Sequence, residues 1–594
     1  MALKWFLAGS AGIAALTGVT LNVEWQPQDD GVSFIPPIAF SSALCGGKDG
    51  LAARRQFFVS AATAYAATLP EVTSDGSISD ETLDRLGFEI TTSSPEAQLW
   101  FDRGMALVYG FNHEAAATAF RKAQTADPDC AMCFWAEGLA YGPNINLPMD
   151  EIAGAKAIKA TQKAAELSGN ASERERALID ALMKRYSDNP EADRGALDLA
   201  FAEAMDEVAL LYPEDNVIAV IAAEANMDTQ AWDYWEVDGL TPKGRSARTL
   251  SLLEGILARE PDYAPAIHLY IHLTEASNNP YRAVPYADEL AALAPELGHL
   301  VHMPAHTYYR VGDWKKSISH NIAAVAADEA FLANNEASVI YEYGYYTHNL
   351  HFLLTSAQTG GDSETALALA KKLDEKLPLE MAASAPWIQP VKAAPYYTMA
   401  QFGAPGDVLA MEDPGDDLPF LKAAWHYARG EALASMARTD DARAEAAAIA
   451  SIAANSDFSD LIGGGVPADG VLEVSRLTIL ARAAAAEGDY ETAVEAMERA
   501  VILQDGFPYM EPPFWYYPSK QTLAAMVLLT GDHDRARQLF HETLVQSPNN
   551  AWALFGLAEA YRREGERSGA KLADKLFKDA WLGKRGTKPK LMHL

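Results

Sequence analysis

The chain has 594 residues and is strongly acidic, with 81 Asp and Glu against 48 Lys and Arg and a formal net charge of −33. That balance repels phosphate backbones and excludes DNA and RNA as partners, and three cysteines are too few for a disulfide framework. Length alone would predict about four domains of roughly 150 residues. However, 49% of the chain is hydrophobic, alanine runs such as AEAAAIASIAA favour helix, and alternating β-branched runs are scarce. Stacked helical repeats are therefore expected.

In chain order, residues 1–23 place one lysine before an apolar run from Trp5 to about Val23, the pattern of a secretory signal or an uncleaved membrane anchor. The expected location is periplasmic or secreted, with membrane contact through this segment alone. Residues 24–90 are rich in Pro, Gly and Ser and predict an irregular extension. The first clear helix pair follows in SPEAQLWFDRGMALVYGFNHEAAATAFRKAQTADPDC. With Ala97 as position 1, Trp100, Gly104, Ala116, Phe120, Ala123 and Pro128 fall at positions 4, 8, 20, 24, 27 and 32. Small residues at 8 and 20 let two helices approach, large ones at 4 and 24 fill the gap, and the proline ends the second helix. These marks resemble the tetratricopeptide repeat, whose period is about 34 residues.

The register recurs in units from Ala264, Gly298 and Thr347, and later from near Ala423, Val474, Tyr517 and Ala551. Gly312, Gly361, Gly488, Gly531 and Gly565 all fall at position 15, the turn between paired helices. The expected fold is all-α, a right-handed superhelical solenoid of such pairs behind an irregular N-terminal extension. Its parts are N-terminal repeats with an insertion (91–263), central His-rich repeats (264–378), a Pro-rich connector or lid (379–422), C-terminal repeats (423–585) and a basic tail (586–594). The stretch FPYMEPPFWYYPSK (507–520) is a further interruption, its aromatics expected against neighbouring helices.

Histidines are few and unevenly placed. His268 and His272 stand at positions 5 and 9 of the unit from Ala264, with Glu275 at 12. His299, His302 and His306 stand at 2, 5 and 9 of the next, and His348 and His351 at 2 and 5 of the third. Spacings of 3, 4 and 7 share a helix face, and two of the inter-unit spacings equal 34 residues. The resemblance implies that positions 2, 5, 9, 12 and 13 face the concave groove. Chance would place roughly 0.3 histidines on the fifteen such positions of these units, and seven are there. Imidazole suits Zn, Cu, Fe and Ni, and pairs at i and i+4 can hold one ion. The candidate metal ligands are therefore His268, His272, Glu275, His299, His302, His306, His348 and His351, for Cu, Zn or Fe in a mono- or dinuclear site. Glu224, near position 9 of a unit from about Asn216, and Tyr309 and Arg310, at 12 and 13, are candidate groove contacts.

Cys130 and Cys133 form a CxxC at a helix start, open to a disulfide, a redox pair or a soft-metal site. No P-loop, Rossmann glycine signature, GxSxG or HExxH is present. Beyond the generic repeat, FNHEAA, DPDCAMCFWAEGLAYGPNIN, HLYIHLTEAS, GHLVHMPAHTYYRVGDW and EPPFWYYPSKQTLAAMVLLTGDHDRA resemble a group of bacterial tetratricopeptide-repeat proteins with His-rich central repeats. That resemblance spans residues 92 to 562 or so and implies no particular reaction. The sequence reading is thus an exported groove metal-binder, as a hydrolytic or redox metalloenzyme. The alternatives are a scaffold for a peptide or protein partner, or metal storage and delivery.

Overall fold

The computed structural model describes residues 77–594 apart from Pro190, Glu336 and Arg585. The signal or anchor segment, most of the irregular extension and Cys45 lie outside the described residues. The rest is helical, organised as successive antiparallel pairs. Among them are Pro95–Tyr109 with His113–Ala126, Asn216–Asp228 with Ser246–Arg259, Ala264–Glu275 with Val284–Leu293, and Gly298–Val311 with Trp314–Asn334. Tyr346–Gly360 pairs with Ser363–Lys376, Ala468–Glu487 with Tyr490–Asp505, and Ala551–Glu564 with Arg567–Ala580.

Packing follows the small-against-large pattern of the sequence. Inside a pair, a Cβ on Gly104 would overlap the Phe120 ring, and between successive pairs one on Gly556 would overlap the Phe540 ring; both phenylalanines are fully buried. Each aromatic therefore sits where the facing helix carries no side chain, which keeps the interior dense. Aspartates such as Asp362, Asp489 and Asp532 cap the second helices by accepting from backbone N–H groups.

The turn glycines do two things. Gly312 and Gly361 adopt left-handed φ of 75° and 81°, a conformation that costs other residues energy. They are also contact points: a Cβ on Gly312 would strike the Pro548 carbonyl, and one on Gly361 the Trp581 ring. Trp314 Nε1 donates to the Asn549 carbonyl at 3.2 Å, and Leu582 N to the Gly360 carbonyl at 2.8 Å. The C-terminal repeats thus fold back onto the central ones.

One sequence expectation changes. Residues 379–422 continue the stack, since Gln389–Phe402 packs between Ser363–Lys376 and Pro419–Ser435 with Ala393, Ala394 and Tyr397 buried. Pro386, Pro390, Pro405 and Pro419 stand in first helical turns, where the missing N–H would have no partner in any case, and the helix continues through the interior Pro395. The stretch between Asp505 and Ser519 packs its aromatics against neighbouring helices, as expected. Trp515 meets Tyr397 and Tyr427, Tyr516 meets His351, and Tyr509 meets Trp232.

Candidate metal centre

The first histidine helix, Ala264–Glu275, is buried along its whole length and starts with proline in its first turn. The second, Gly298–Val311, carries His299, His302 and His306 on its inward side and contains Pro304. The third, Tyr346–Gly360, follows a π-helical turn at Tyr341–Tyr345, a local rewinding often seen at functional sites. His268, His272, His299, His302 and His306 are all at most 2% exposed.

Their side chains form two triads. The candidate ligand atoms of His268, His272 and His299 lie within 4.8 Å of one another, and so do those of His302, His306 and His348. In the first triad His268 Nε2 and His299 Nε2 are 3.0 Å apart. In the second, His306 Nε2 is 2.7 Å from His302 Nε2 and 3.3 Å from His348 Nε2. Two nitrogens bound to one tetrahedral ion at about 2.0–2.1 Å lie roughly 3.3 Å apart, so both triads are near ligating spacing. The triads adjoin, with the His272 and His306 rings 5.7 Å apart.

Equivalent residues were expected to meet at a spacing of 34. The polar contacts instead pair His268 with His299 and Glu275 with His306, both 31 residues apart. Position 5 of one unit meets position 2 of the next, as happens when packed helices cross at an angle.

The far nitrogens are held by a shell of acceptors. His272 Nδ1 donates to Glu275 Oε1 at 3.1 Å, and His306 Nδ1 to Glu275 Oε2 at 2.5 Å. His302 Nδ1 donates to Asn321 Oδ1 at 2.6 Å, and the Asn321 amide is itself fixed by donation to the Ser317 carbonyl. His268 has a backbone hydrogen bond with Tyr109. Carboxylate and amide oxygens behind the ring are what orient a ligating imidazole and leave its other nitrogen free. Among the described residues, His272 Nε2 and His299 Nδ1 have no hydrogen-bond partner despite full burial, an arrangement that costs free energy unless something else is bound there.

Glu511 completes the shell and was missed from the sequence. Its Oε2 lies 2.7 Å from His306 Nδ1, it is 4% exposed, and Tyr509 Oη donates to its other oxygen. The only signal was the break in the repeat at 507–520, which was read for its aromatics. Phe111 and Trp232 were missed too. Phe111 packs against His268, His272 and His299 with centroids 4.5–5.9 Å away, and Trp232 meets His272 edge-on at 5.6 Å. Both hold positive φ, 55° and 66°, a costly conformation for bulky residues that concentrates at functional sites.

Burial pushes His268, His272, His299, His302 and His348 well below the ordinary histidine range, and neighbouring imidazoles add to this. His306 is the exception. Burial alone would depress it, but Glu275 and Glu511 raise it to about 10. Burial, reinforced by Glu511, also raises Glu275 well above the carboxylate range. Neutral imidazole is the form that binds metals; His268, His272, His299, His302 and His348 are already in it, and His306 must release a proton to ligate.

With this geometry in place, the comparisons with known proteins can be set beside it. The family described as Tetratricopeptide repeat matches residues 527–573. No curated protein matches the chain. Similar solved structures include the APC/C hetero-tetramer Cut9–Hcn1, at 13% identity over 85% of this chain and 88% of that one with a TM-score of 0.29. A human IFIT1 dimer with m7Gppp-AAAA is 12% identical over 87% and 99%, TM-score 0.30, and the P58(IPK) TPR domain 13% over 79% and 98%, TM-score 0.20.

The remaining candidates fall outside the triads. His351 is not brought in: its Nε2 pairs with Tyr516 Oη at 2.6 Å, and burial lowers it to about 3. Glu224 lines a small separate cavity with His113, Arg185 and Asp228, and burial raises it to about 7 against the pull of Arg185. Tyr309 packs edge-on against Trp314 and Phe352. Arg310 donates to the Ser277 carbonyl and covers the Tyr509 ring at 5.4 Å, helping to seat that loop. Cys130 and Cys133 are joined in a disulfide at the start of Ala131–Ala140, both fully buried. Among the described residues, no helix is long and apolar enough to cross a membrane.

Proposed function

We propose that this tetratricopeptide-repeat protein binds transition metal on the inner surface of its central repeats. The ligands are His268, His272, His299, His302, His306 and His348. The observation that carries this reading is the burial of two imidazole triads in which Glu275, Glu511 and Asn321 hold the outer nitrogens of His272, His302 and His306 while inner nitrogens face one another. A structural network would pair those nitrogens with oxygen acceptors, whereas a metal site leaves them converging. The chemistry supplied by a bound metal at such a site is Lewis-acid or redox chemistry, or simple retention and delivery of the ion. A buried disulfide fits an exported protein in an oxidising compartment.

The test is elemental analysis of the full chain prepared without chelators, beside His268→Ala, His302→Ala and His306→Ala. At least one equivalent of Cu, Zn or Fe, reduced in the variants, is expected. Substoichiometric metal in the unsubstituted chain would sink the reading.

Protein binding is the general role of such repeats and is the second reading. The inner face of the central repeats is crossed by the chain's own residues 507–518, with Tyr509 on Trp232 and Tyr516 on His351. A peptide partner would have to dock elsewhere or displace that segment.

A further inference from the structure

We infer that the two triads are halves of one dinuclear centre, that Glu275 couples them and that Glu511 closes them. The inference rests on the metal-binding reading and adds number and coupling to it.

Number follows from the convergence of nitrogens. His268 Nε2 faces His299 Nε2, and His272 Nε2 is the nitrogen of its ring not taken by Glu275. His302, His306 and His348 converge through Nε2 in the same way. Each triad thus has its own meeting point.

Coupling follows from Glu275, whose two oxygens take one imidazole from each triad, His272 through Oε1 and His306 through Oε2. Its position sets the orientation of a ligand on both sides at once. Glu511 adds a second carboxylate on His306, delivered by a segment from the C-terminal repeats.

The experiment is a titration of the full chain with zinc(II), and anaerobically with copper(I), each against a colorimetric chelator, with X-ray absorption at the metal edge. The expected result is two equivalents of at least one of these ions, ligated by nitrogen. His272→Ala and the less buried His348→Ala should each retain one equivalent. Glu511→Gln keeps shape while removing a charge, and should keep the circular dichroism spectrum while weakening the second equivalent at least tenfold. Glu275→Gln should alter the edge spectrum of both ions, which a merely structural residue would not do. A single equivalent of each ion in the unsubstituted chain would overturn this inference and leave metal binding standing. Binding of neither ion would overturn both.

Discussion

Glu275 Oε2 lies 2.5 Å from His306 Nδ1, although the two residues belong to different repeats and are 31 positions apart. The same carboxylate accepts from His272 on its own helix through Oε1. One side chain thus ties the first and second histidine helices together inside the protein. Glu275→Ala would leave two imidazole N–H groups without this acceptor, and removing one partner from a buried charged pair costs about 3–5 kcal/mol. Urea denaturation of the metal-free protein should show a loss of that order, and Glu275→Gln a smaller one because its carbonyl still accepts. Equal stability of Glu275→Ala and the parent chain would contradict the assigned contact.

Metal should stabilise the folded chain, since an ion that binds only the native state shifts unfolding by mass action. At a free concentration a hundredfold above Kd the gain is about 2.7 kcal/mol. Scanning calorimetry with and without a chelator is expected to show the transition moving down on chelation and back up on adding metal. The shift should vanish in a His268→Ala, His306→Ala double variant.

A pH effect away from the triads belongs to His113. Burial lowers it from 6.5 to about 4, with Arg185 adding to the fall, while its Nδ1 pairs with the Ala140 carbonyl. Between these values the unfolded chain binds the proton and the folded chain does not, so stability falls as pH falls. The contribution is complete above pH 6.5 and is lost progressively towards pH 4, in total about 3 kcal/mol for such a shift. Other buried histidines act in the same direction, so the measurement is the difference in stability slope between the parent chain and His113→Gln from pH 7 to pH 4. A slope unchanged by the substitution would refute the assignment.

Two turn glycines separate strain from contact. Gly312 and Gly565 have similar φ, 75° and 82°. A Cβ at Gly565 meets nothing within 4 Å, whereas one at Gly312 meets the Pro548 carbonyl. Gly565→Ala should cost about 1–2 kcal/mol, the left-handed penalty alone. Gly312→Ala should cost clearly more and should speed proteolysis near residues 545–550 as the C-terminal repeats lift away. Equal costs at the two sites would show that the fold-back contact carries no stability.

Much of this architecture was legible in the sequence because the repeat is a local pattern. Position 8 glycine against position 24 phenylalanine, glycine at the turn and aspartate at the following cap are decided by residues within one helix pair. That is why Gly104 and Phe120 appear in contact where the register placed them. The shared histidine face was legible for the same reason, since spacings of 3 and 4 lie on one side of a helix whatever surrounds it. The Pro-rich stretch after residue 378 misled because most of its prolines stand in first helical turns, and packing between neighbouring helices carries the chain through Pro395.

The sequence by itself determined the helix pairs, their stacking and the set of histidines on the inner side. Only the tertiary structure decided that these divide into two triads, that His351 leaves them for Tyr516, and that Glu511, Phe111 and Trp232 join them. The physical reason is the range of the interactions involved. Helix periodicity acts over a few residues, whereas the crossing angle of successive helices and the path of the 507–518 segment depend on packing between parts of the chain far apart in sequence.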